Sequence, residues 1–203
     1  MRNFKILNNQ LKELSLKEFF SLLKQTLFFD ELILVYKLDT IKIQAQPEEV
    51  EGVIIKKGDL EDLKQARQTL KPLPWEFQCY EFDGVNDFFV AKDDGGIQHI
   101  SWIYFHDHRN RLLSLGKREA EIKFCLTLPA ARGRGIYPKI LLSALSYLNS
   151  CGIQRVYICV HKDNNSSIRG IEKAGFTRVG EIKLKKFMGI QMSPRFDTYR
   201  RVQ

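Results

Sequence analysis

Apolar residues recur along this chain at spacings typical of helices and strands. In residues 1–50, a capping box formed by Ser15 and Glu18 precedes an apolar stripe, which predicts a helix from about 15 to 29. Two runs rich in β-branched and apolar residues follow at 32–36 and 41–43. This part of the chain therefore predicts one helix and then two strands around a turn.

Beyond residue 50, strand patterns alternate with helical patterns. The clearest helix has an unbroken apolar stripe from Tyr137 to Leu148 and is closed by Gly152. The order of the elements is mixed α/β (α+β), with antiparallel hairpins first and a strand-helix-strand unit afterwards. The predicted elements are a strand at 53–55, a helix at 59–70, a hairpin at 88–105, a strand at 120–128, the helix just named, a strand at 156–160, a short helix at 164–175, and strands near 177–187 and 195–202.

The charge of the chain is not evenly distributed. The 203 residues carry a formal net charge of +8, yet residues 1–50 hold seven basic and seven acidic side chains. With 44% hydrophobic and 28% charged residues, the composition excludes a disordered or collagen-like chain and fits one core. We therefore expect a neutral helix-and-strand extension at 1–50 and a basic domain at 51–203 that attracts anions.

The cysteines and the apolar runs indicate the compartment. Cys79, Cys125, Cys151 and Cys159 form no CxxC pair, so reduced thiols are expected. The first residues lack the apolar core of a signal peptide, and charges interrupt every apolar run before roughly 18 residues. The sequence predicts a soluble cytoplasmic protein without a membrane span.

The segment from Leu128 to Leu141 carries the most informative chemical pattern. A strand runs into a loop with Gly133 and Gly135 that opens a helix, so free backbone N–H groups can converge on an anion. Arg132 adds charge, as Arg134 does beside it in the loop. The loop fits neither a P-loop nor a dinucleotide-binding pattern, and a tight turn with solvated arginines is the alternative interpretation.

With this loop the chain resembles the GNAT superfamily of N-acyltransferases, which move an acyl group from coenzyme A to an amine. The family motif is Gln/Arg-x-x-Gly-x-Gly/Ala before a leucine-rich helix, and the chain has Arg132-Gly133-Arg134-Gly135-Ile136-Tyr137 in that place. Ala130 stands at the first motif position, a mild departure because the motif binds through backbone N–H groups. A second similarity follows in order at 164–176, which resembles the family segment Asn-x-x-Ser to Glu-Lys-x-Gly-Phe.

The resemblance covers about residues 51 to 200 and implies a mixed, mostly antiparallel sheet flanked by helices. It also implies acetyl-CoA as cosubstrate, with pairing of the pantetheine arm by one strand, and no metal. The implied cofactor-binding residues are Leu126, Thr127, Leu128, Arg132, Gly133, Arg134, Gly135, Ile136, Tyr137, Asn164 and Ser167.

The catalytic candidate is Glu121, because its strand is similar to the family strand whose glutamate acts as general base. An ammonium with a pKa near 10.4 must lose a proton before it attacks a thioester, which a carboxylate can accept. Strand alternation places Glu119, Glu121 and Lys123 on one face, with Ile122 and Phe124 on the other, so a solvated polar face is the alternative.

The family's usual acid is missing from the sequence. Many members carry a tyrosine that protonates the departing thiolate, and the matching position here is Ile171. Water or a nearby hydroxyl such as that of Ser167 can replace it, because a thiolate with a pKa near 8.5 is a good leaving group. The general acid is therefore unassigned.

Three other groups of residues have a weaker claim to chemistry. The run 106–108, His-Asp-His, lacks further ligands at metal-site spacing and is better explained as an exposed loop. Cys125 lies in an apolar strand, which favours a structural thiol over a nucleophile. The aromatic residues near the two prolines line an acceptor pocket or pack over the core; they are Trp75, Phe77, Tyr80 and Phe82.

Three functions remain open on the sequence alone. The first is direct acetyl transfer from acetyl-CoA to a primary amine in a ternary complex. The second is an inactive acyl-CoA sensor. The third is a nucleic-acid-binding module, which only the net positive charge supports. The basic residues favour an acidic or phosphorylated small molecule or peptide as acceptor, and the extension is available for a homodimer.

Overall fold

The fold is centred on one twisted sheet. The computed structural model describes residues 28–42, 50–187, 190–191 and 196–198. Within these ranges eight strands form the main sheet in the order β2-β3-β4-β6-β7-β1-β8-β9, and β5 and β10 form a small second sheet. The elements are β1 Phe28–Asp39, β2 Ile54–Lys57, α1 Leu60–Thr69, α2 Cys79–Asp83, β3 Phe88–Asp93, β4 Gly96–Tyr104, β5 Leu113–Ser114, β6 Glu119–Thr127, α3 Ile136–Ser150, β7 Arg155–His161, α4 Asn165–Lys173, β8 Thr177–Phe187, β9 Ile190–Gln191 and β10 Phe196–Asp197.

Neighbouring strands of the main sheet are antiparallel, except for the pair β6 and β7. The helices α3 and α4 bury their apolar sides on one face of the sheet, while α1 packs on the other face near β3 and β4. The prediction of a mixed, mostly antiparallel sheet flanked by helices is therefore confirmed. No helix in the described ranges has the length and apolarity needed to cross a membrane.

Most elements beyond residue 50 form where the pattern places them. The helix α1 begins after Asp59, whose carboxylate accepts the Asp62 N–H while the Asp62 carboxylate accepts the Asp59 N–H. Asn164 caps α4 through the Ser167 N–H. In these segments a local cap and a periodic apolar face point to the same structure, so the sequence pattern suffices.

Two predictions in residues 1–50 are wrong where the structure describes them. The predicted helix from about 15 to 29 is wrong at its end, because residues 28 and 29 belong to β1, and the rest of that prediction lies outside the described residues. The strand predicted at 41–43 is replaced by a 3₁₀ turn at Thr40–Lys42, and residue 43 is not described. Hydrogen bonds from Thr40 to Ile153 and Gln154 hold this turn, so a tertiary contact overrides the β-rich composition.

The strand β1 lies between β7 and β8, inside the main sheet. Its residue Val35 is fully buried, and the Tyr36 hydroxyl donates to the Glu172 carboxylate of α4 at 3.0 Å. The boundary at residue 50 stays a prediction, but this strand from the N-terminal segment packs as part of the same core as residues 51–187.

The strands β6 and β7 pair over only three residue pairs, from Glu119 with Arg155 to Glu121 with Tyr157. Beyond Glu121, β6 continues along β4, and Phe124 adopts a φ of 52° where the register with β4 shifts. The bulge also changes the side-chain alternation. Phe124 packs toward α1 with Tyr104, so its predicted place on the face of Ile122 is wrong.

A buried carboxylate anchors the paired ends of β6 and β7. Glu119 is 1% exposed and accepts hydrogen bonds from the Gly116 N–H at 2.7 Å and from the Arg155 guanidinium at 2.7 Å. The hydroxyls of Tyr157 and Thr198 lie 3.2 and 2.6 Å from the same carboxylate. Both oxygens are therefore satisfied, and the network ties the start of β6 to β7 and to the residue after β10.

Glu119→Gln tests the network, because an amide carries donors where this carboxylate only accepts. We expect the free energy of unfolding to fall by about 2–4 kcal/mol, since buried donors lose their charged acceptor. Urea denaturation measures the loss. Glu61→Gln, at an exposed pair with Lys64, is the control and should change stability by less than about 0.5 kcal/mol. Equal effects of the two substitutions would contradict the role of Glu119.

Candidate active site

A cleft of about 680 Å³ opens beside the end of β6 and the first turns of α3 and α4. Gly133 and Gly135 have φ angles of 82° and 73°, in the left-handed region that favours glycine, and no atom lies within 4 Å of where either Cβ would stand. Gly135 is the N-cap of α3 and provides no side-chain acceptor for the first N–H groups of the helix. The positive end of α3 therefore faces open space in the cleft.

Nine of the eleven predicted cofactor residues line this cleft. Leu128 and Arg134 do not. The Leu128 N–H donates to the Gln98 carbonyl at 2.9 Å, which continues the pairing of β6 with β4. Arg134 pairs with the Asp93 carboxylate at 2.9 Å and contacts the Glu51 carbonyl, so its charge is held by the turn between β3 and β4. Cofactor binding by any of these residues stays a prediction.

The first turn of α4 supplies polar groups to the cleft. The Asn164 side-chain oxygen accepts the Ser167 N–H at 3.2 Å and the Ser166 hydroxyl at 3.1 Å, and all three residues line the cleft. Ile171, one turn farther along, is fully buried in the core under α3. The isoleucine at this position places no donor in the cleft.

The sequence analysis missed a buried histidine at the base of the cleft. His99 is 1% exposed, and its ring nitrogens lie 2.6 Å from the Thr127 hydroxyl and 2.7 Å from the Ser101 hydroxyl. Burial lowers the pKa of His99 to about 3, so the ring is neutral and shares protons with both hydroxyls. One available signal was the position of His99 next to Ile100 within the strand-forming run 97–104.

Tyr137 stands in the cleft against this histidine. Its ring stacks on that of His99, with the ring centroids 5.5 Å apart. A Cβ at Gly170 would come within 2.5 Å of the Tyr137 ring, so glycine is needed there to seat the tyrosine. Thr127, His99 and Ser101 form one hydrogen-bonded chain at the base of the cleft, and the Tyr137 ring stacks on its central member.

Glu121 does not line this cleft but lies on β6 at the point where β6 and β7 separate. It is 2% exposed, so the alternative of a solvated polar face does not hold. Burial raises the pKa of Glu121, and the opposing influences are the Lys123 ammonium, 3.6 Å away, and a hydrogen bond from the Cys159 thiol. Its Oε2 atom has no hydrogen-bond partner among the described residues.

The residues with a weaker claim to chemistry, around 106–108, Cys125 and the aromatic residues after Pro74, lie in structural contacts. The His108 ring accepts the Phe105 N–H at 2.9 Å, and the described residues contain no group of three ligands able to hold a metal. Burial raises the pKa of the Cys125 thiol to about 11. Phe77 is fully buried, whereas Trp75 is 52% exposed and packs edge-on against Phe124 at 4.8 Å.

The neutral state of His99 predicts a pH dependence of stability. The unfolded chain, with a histidine pKa near 6.5, takes up a proton that the folded chain excludes, so this contribution is present above pH 6.5 and is lost as the pH falls. We expect the free energy of unfolding to fall by about 1 kcal/mol per pH unit from pH 6 to pH 4, as measured by urea denaturation. His99→Gln should flatten this slope, whereas His106→Gln, at an exposed position, should keep it. A wild-type slope in His99→Gln would show that His99 is protonated in the folded protein.

The comparisons with known proteins point to one family. The family model "Acetyltransferase (GNAT) domain" matches residues 36–177, from within β1 to the start of β8. A mycothiol acetyltransferase from Thermobispora bispora is 29% identical over 119 residues, which are 59% of this chain and 36% of that protein. One from Rhodococcus jostii is 27% identical over 99 residues, which are 49% of this chain and 31% of that protein. The chain thus spans about a third of the length of these curated relatives.

Solved structures show the same architecture. A GCN5-related N-acetyltransferase from Sphaerobacter thermophilus superposes with a TM-score of 0.58 at 15% identity, over 89% of this chain and 58% of that one. At this identity the likeness concerns the fold. The family model covers more than half of the chain and includes both glycine loop and Asn164 segment, so this protein belongs to the GNAT acetyltransferase family.

Proposed function

We propose that this protein transfers the acetyl group of acetyl-CoA to a primary amine by direct transfer in a ternary complex. The observation that carries the proposal is the uncapped, glycine-opened N-terminus of α3 facing the cleft. The family uses acetyl-CoA as its cosubstrate, and the cleft has the size and the polarity to take a diphosphate with an extended arm.

The residues present fit such a cosubstrate. Free N–H groups from Gly133 to Tyr137 would bind the pyrophosphate, with Arg132 adding charge at the rim of the cleft. Arg134 would contribute less, because Asp93 already neutralises it. The β6 residues beyond Glu121 have no pairing with β7, which leaves a strand edge for the amide groups of the arm.

Acetyl-CoA supplies an activated acyl group, and the protein must supply a base for the acceptor ammonium. Glu121 suits this role because its carboxylate is buried, its Oε2 lacks a hydrogen bond, and burial raises its pKa. The nearby Lys123 ammonium, 3.6 Å away, opposes that rise because it favours the ionised carboxylate. A backbone N–H on the β6 edge would stabilise the negative charge that develops on the acyl oxygen.

Glu121→Gln tests the base. We expect turnover in a thiol-release assay with a panel of amines to fall about 10²-fold or more, with acetyl-CoA affinity by calorimetry unchanged. Because only the ionised carboxylate accepts a proton, wild-type activity should decline as the pH falls through the raised pKa, and this acid limb should vanish in the variant. Glu181→Gln, at an exposed pair with Arg178, is the matched control. Unchanged turnover in Glu121→Gln would remove Glu121 from the mechanism, and absent acetyl-CoA binding would refute the proposed function.

Direct transfer also predicts that no acyl-enzyme accumulates. The raised pKa of Cys125, about 11, leaves almost no thiolate at neutral pH, so this side chain is a poor nucleophile. Mass spectrometry of protein quenched after mixing with acetyl-CoA, without acceptor, should show an unmodified Cys125. A stoichiometric acetyl group on that cysteine would replace direct transfer with a two-step mechanism.

For the acceptor we keep the proposal of an anionic amine, an acidic or phosphorylated small molecule or peptide, which the excess of basic residues favours. We do not assign the substrate of the curated relatives to this protein, because the chain spans only about a third of their length. A cytoplasmic location and a homodimer remain proposals as well. Free thiol release with any amine would exclude the inactive-sensor alternative.

A further inference from the structure

We propose that the Thr127 hydroxyl donates a hydrogen bond to the pantetheine arm of the bound cosubstrate and that His99 orients the hydroxyl for this contact. The inference rests on the proposed use of acetyl-CoA and adds a side-chain donor to the β6 strand edge. His99 is a positioning residue in this arrangement, because it acts on the ligand only through Thr127.

A short chain of hydrogen bonds connects β4 and β6 at the base of the cleft. His99 and Thr127 face each other in the register of the two strands, and the Nδ1 and Oγ1 atoms are 2.6 Å apart. On the other side of the ring, Nε2 lies 2.7 Å from the Ser101 Oγ. Ser101 is fully buried, whereas His99 and Thr127 both line the cleft. The chain therefore runs from the protein core to the floor of the cleft.

The number of protons gives this chain a direction. A neutral imidazole has one N–H donor and one acceptor nitrogen, and burial keeps His99 neutral by lowering its pKa to about 3. The Ser101 proton goes to Nε2, because a ring nitrogen is a stronger acceptor than the neighbouring Cys125 sulfur. The single ring proton of His99 is then on Nδ1, which donates to the Thr127 oxygen.

The opposite direction would leave a poorly satisfied donor in the core. If Thr127 donated to Nδ1, the Nε2 proton would go to Ser101, and the Ser101 proton would have only a sulfur as acceptor. Ser101 is fully buried, so water cannot take the place of a better acceptor. A buried donor without a good acceptor is costly, which favours the direction from Ser101 through His99 to Thr127.

In this direction the Thr127 hydroxyl keeps an unused proton at the cleft. A hydroxyl has one donor and two acceptor sites, and its oxygen accepts from His99. Within the described part of the chain, this hydroxyl has no hydrogen-bond partner besides His99. Because Thr127 lines the cleft, an oxygen of a bound ligand can accept the proton.

The neighbouring backbone groups explain why a side-chain donor is useful here. The Arg132 Nε donates to the Thr127 carbonyl at 3.3 Å, and the Leu128 N–H donates to the Gln98 carbonyl at 2.9 Å, so both backbone groups are already paired. The diphosphate of the cosubstrate has its own donors at the start of α3. The amide carbonyls of the arm need donors along β6, and the Thr127 hydroxyl supplies one.

The tautomer of His99 tests the direction of the chain. At neutral pH, ¹⁵N–¹H correlation spectra of the ligand-free protein with labelled histidines should show a protonated Nδ1 and an unprotonated Nε2 for His99. His99→Gln assigns the signal by removing it. Addition of CoA should keep this tautomer and shift the Nδ1 resonance, because the Thr127 oxygen becomes a better acceptor when its proton is shared with a ligand.

Thr127→Val replaces the hydroxyl with a methyl group of similar size. We expect the Kd of CoA, measured by calorimetry, to rise about tenfold, whereas Thr127→Ser should stay within about threefold of the wild type. The phosphoadenosine diphosphate portion of CoA, which lacks the arm, should bind all three proteins equally. Thr69→Val is the matched control, since the Thr69 hydroxyl donates within α1 to the Gln65 carbonyl, and it should bind CoA as the wild type does.

The outcomes separate the two proposals. A wild-type protein that binds no CoA overturns both acetyl transfer and the role of Thr127. If CoA binds, a protonated Nε2 on His99, an Nδ1 resonance that CoA does not shift, or unchanged affinity in Thr127→Val overturns the role of Thr127 alone. Equal losses in Thr127→Val and Thr127→Ser also overturn it, because they indicate packing, and so does an equal loss for the ligand without the arm. The wild-type spectra decide the direction of the chain even where a variant folds poorly.

Discussion

The early end of the pairing between β6 and β7 is the constraint on which the rest of the site depends. The two strands share a ladder only from Glu119 to Glu121, and β6 then follows β4 through the bulge at Phe124. If β6 and β7 were paired along their whole length, the backbone N–H and C=O groups between them would be hydrogen-bonded and no free strand edge would remain. Because the strands separate, the sheet gains a strand edge, a cleft and a place for the first turns of α3 and α4.

Separation of two strands in the middle of a sheet has to be stabilised at the point where it begins. The Glu119 network fastens the paired ends of β6 and β7, with every carboxylate oxygen bonded. Two residues farther along, Glu121 is equally buried, but its Oε2 has no hydrogen-bond partner among the described residues and lies 3.6 Å from the Lys123 ammonium. This difference between two buried carboxylates of one strand is the reason why Glu121, and not Glu119, is the candidate for chemistry.

The polar chain under the cleft shows how burial controls protonation. Burial holds His99 neutral and keeps the Cys125 thiol and the Tyr137 hydroxyl protonated. Such a chain costs little only when each member is hydrogen-bonded, and the contacts from Thr127 through His99 to Ser101 meet that condition. Protons at the base of the cleft are thus held by neutral groups, while the charged side chains Arg132 and Glu76 also line the cleft and Glu121 lies nearby.

The sequence by itself determined the elements with a local cause and the loop chemistry that points to a diphosphate. The Asp59 cap, the stripe of α3 and the Asn164 cap need no distant partner, and Gly133 and Gly135 allow the left-handed turn that precedes α3. The pattern could not place β1 between β7 and β8, because strand order depends on which edges meet and not on periodicity.

Tertiary structure also decided which of the loop arginines is paired with a carboxylate. Arg132 and Arg134 are equivalent in the sequence, but the turn between β3 and β4 brings Asp93 to the second alone. His99 and Gly170 belong to no motif recognised in the sequence. Their contribution to the cleft follows from the Tyr137 ring, which both of them contact. Caps and apolar periodicity depend on short stretches of the sequence and can be read from it. Burial and strand pairing depend on contacts between distant stretches, so only the tertiary structure shows them.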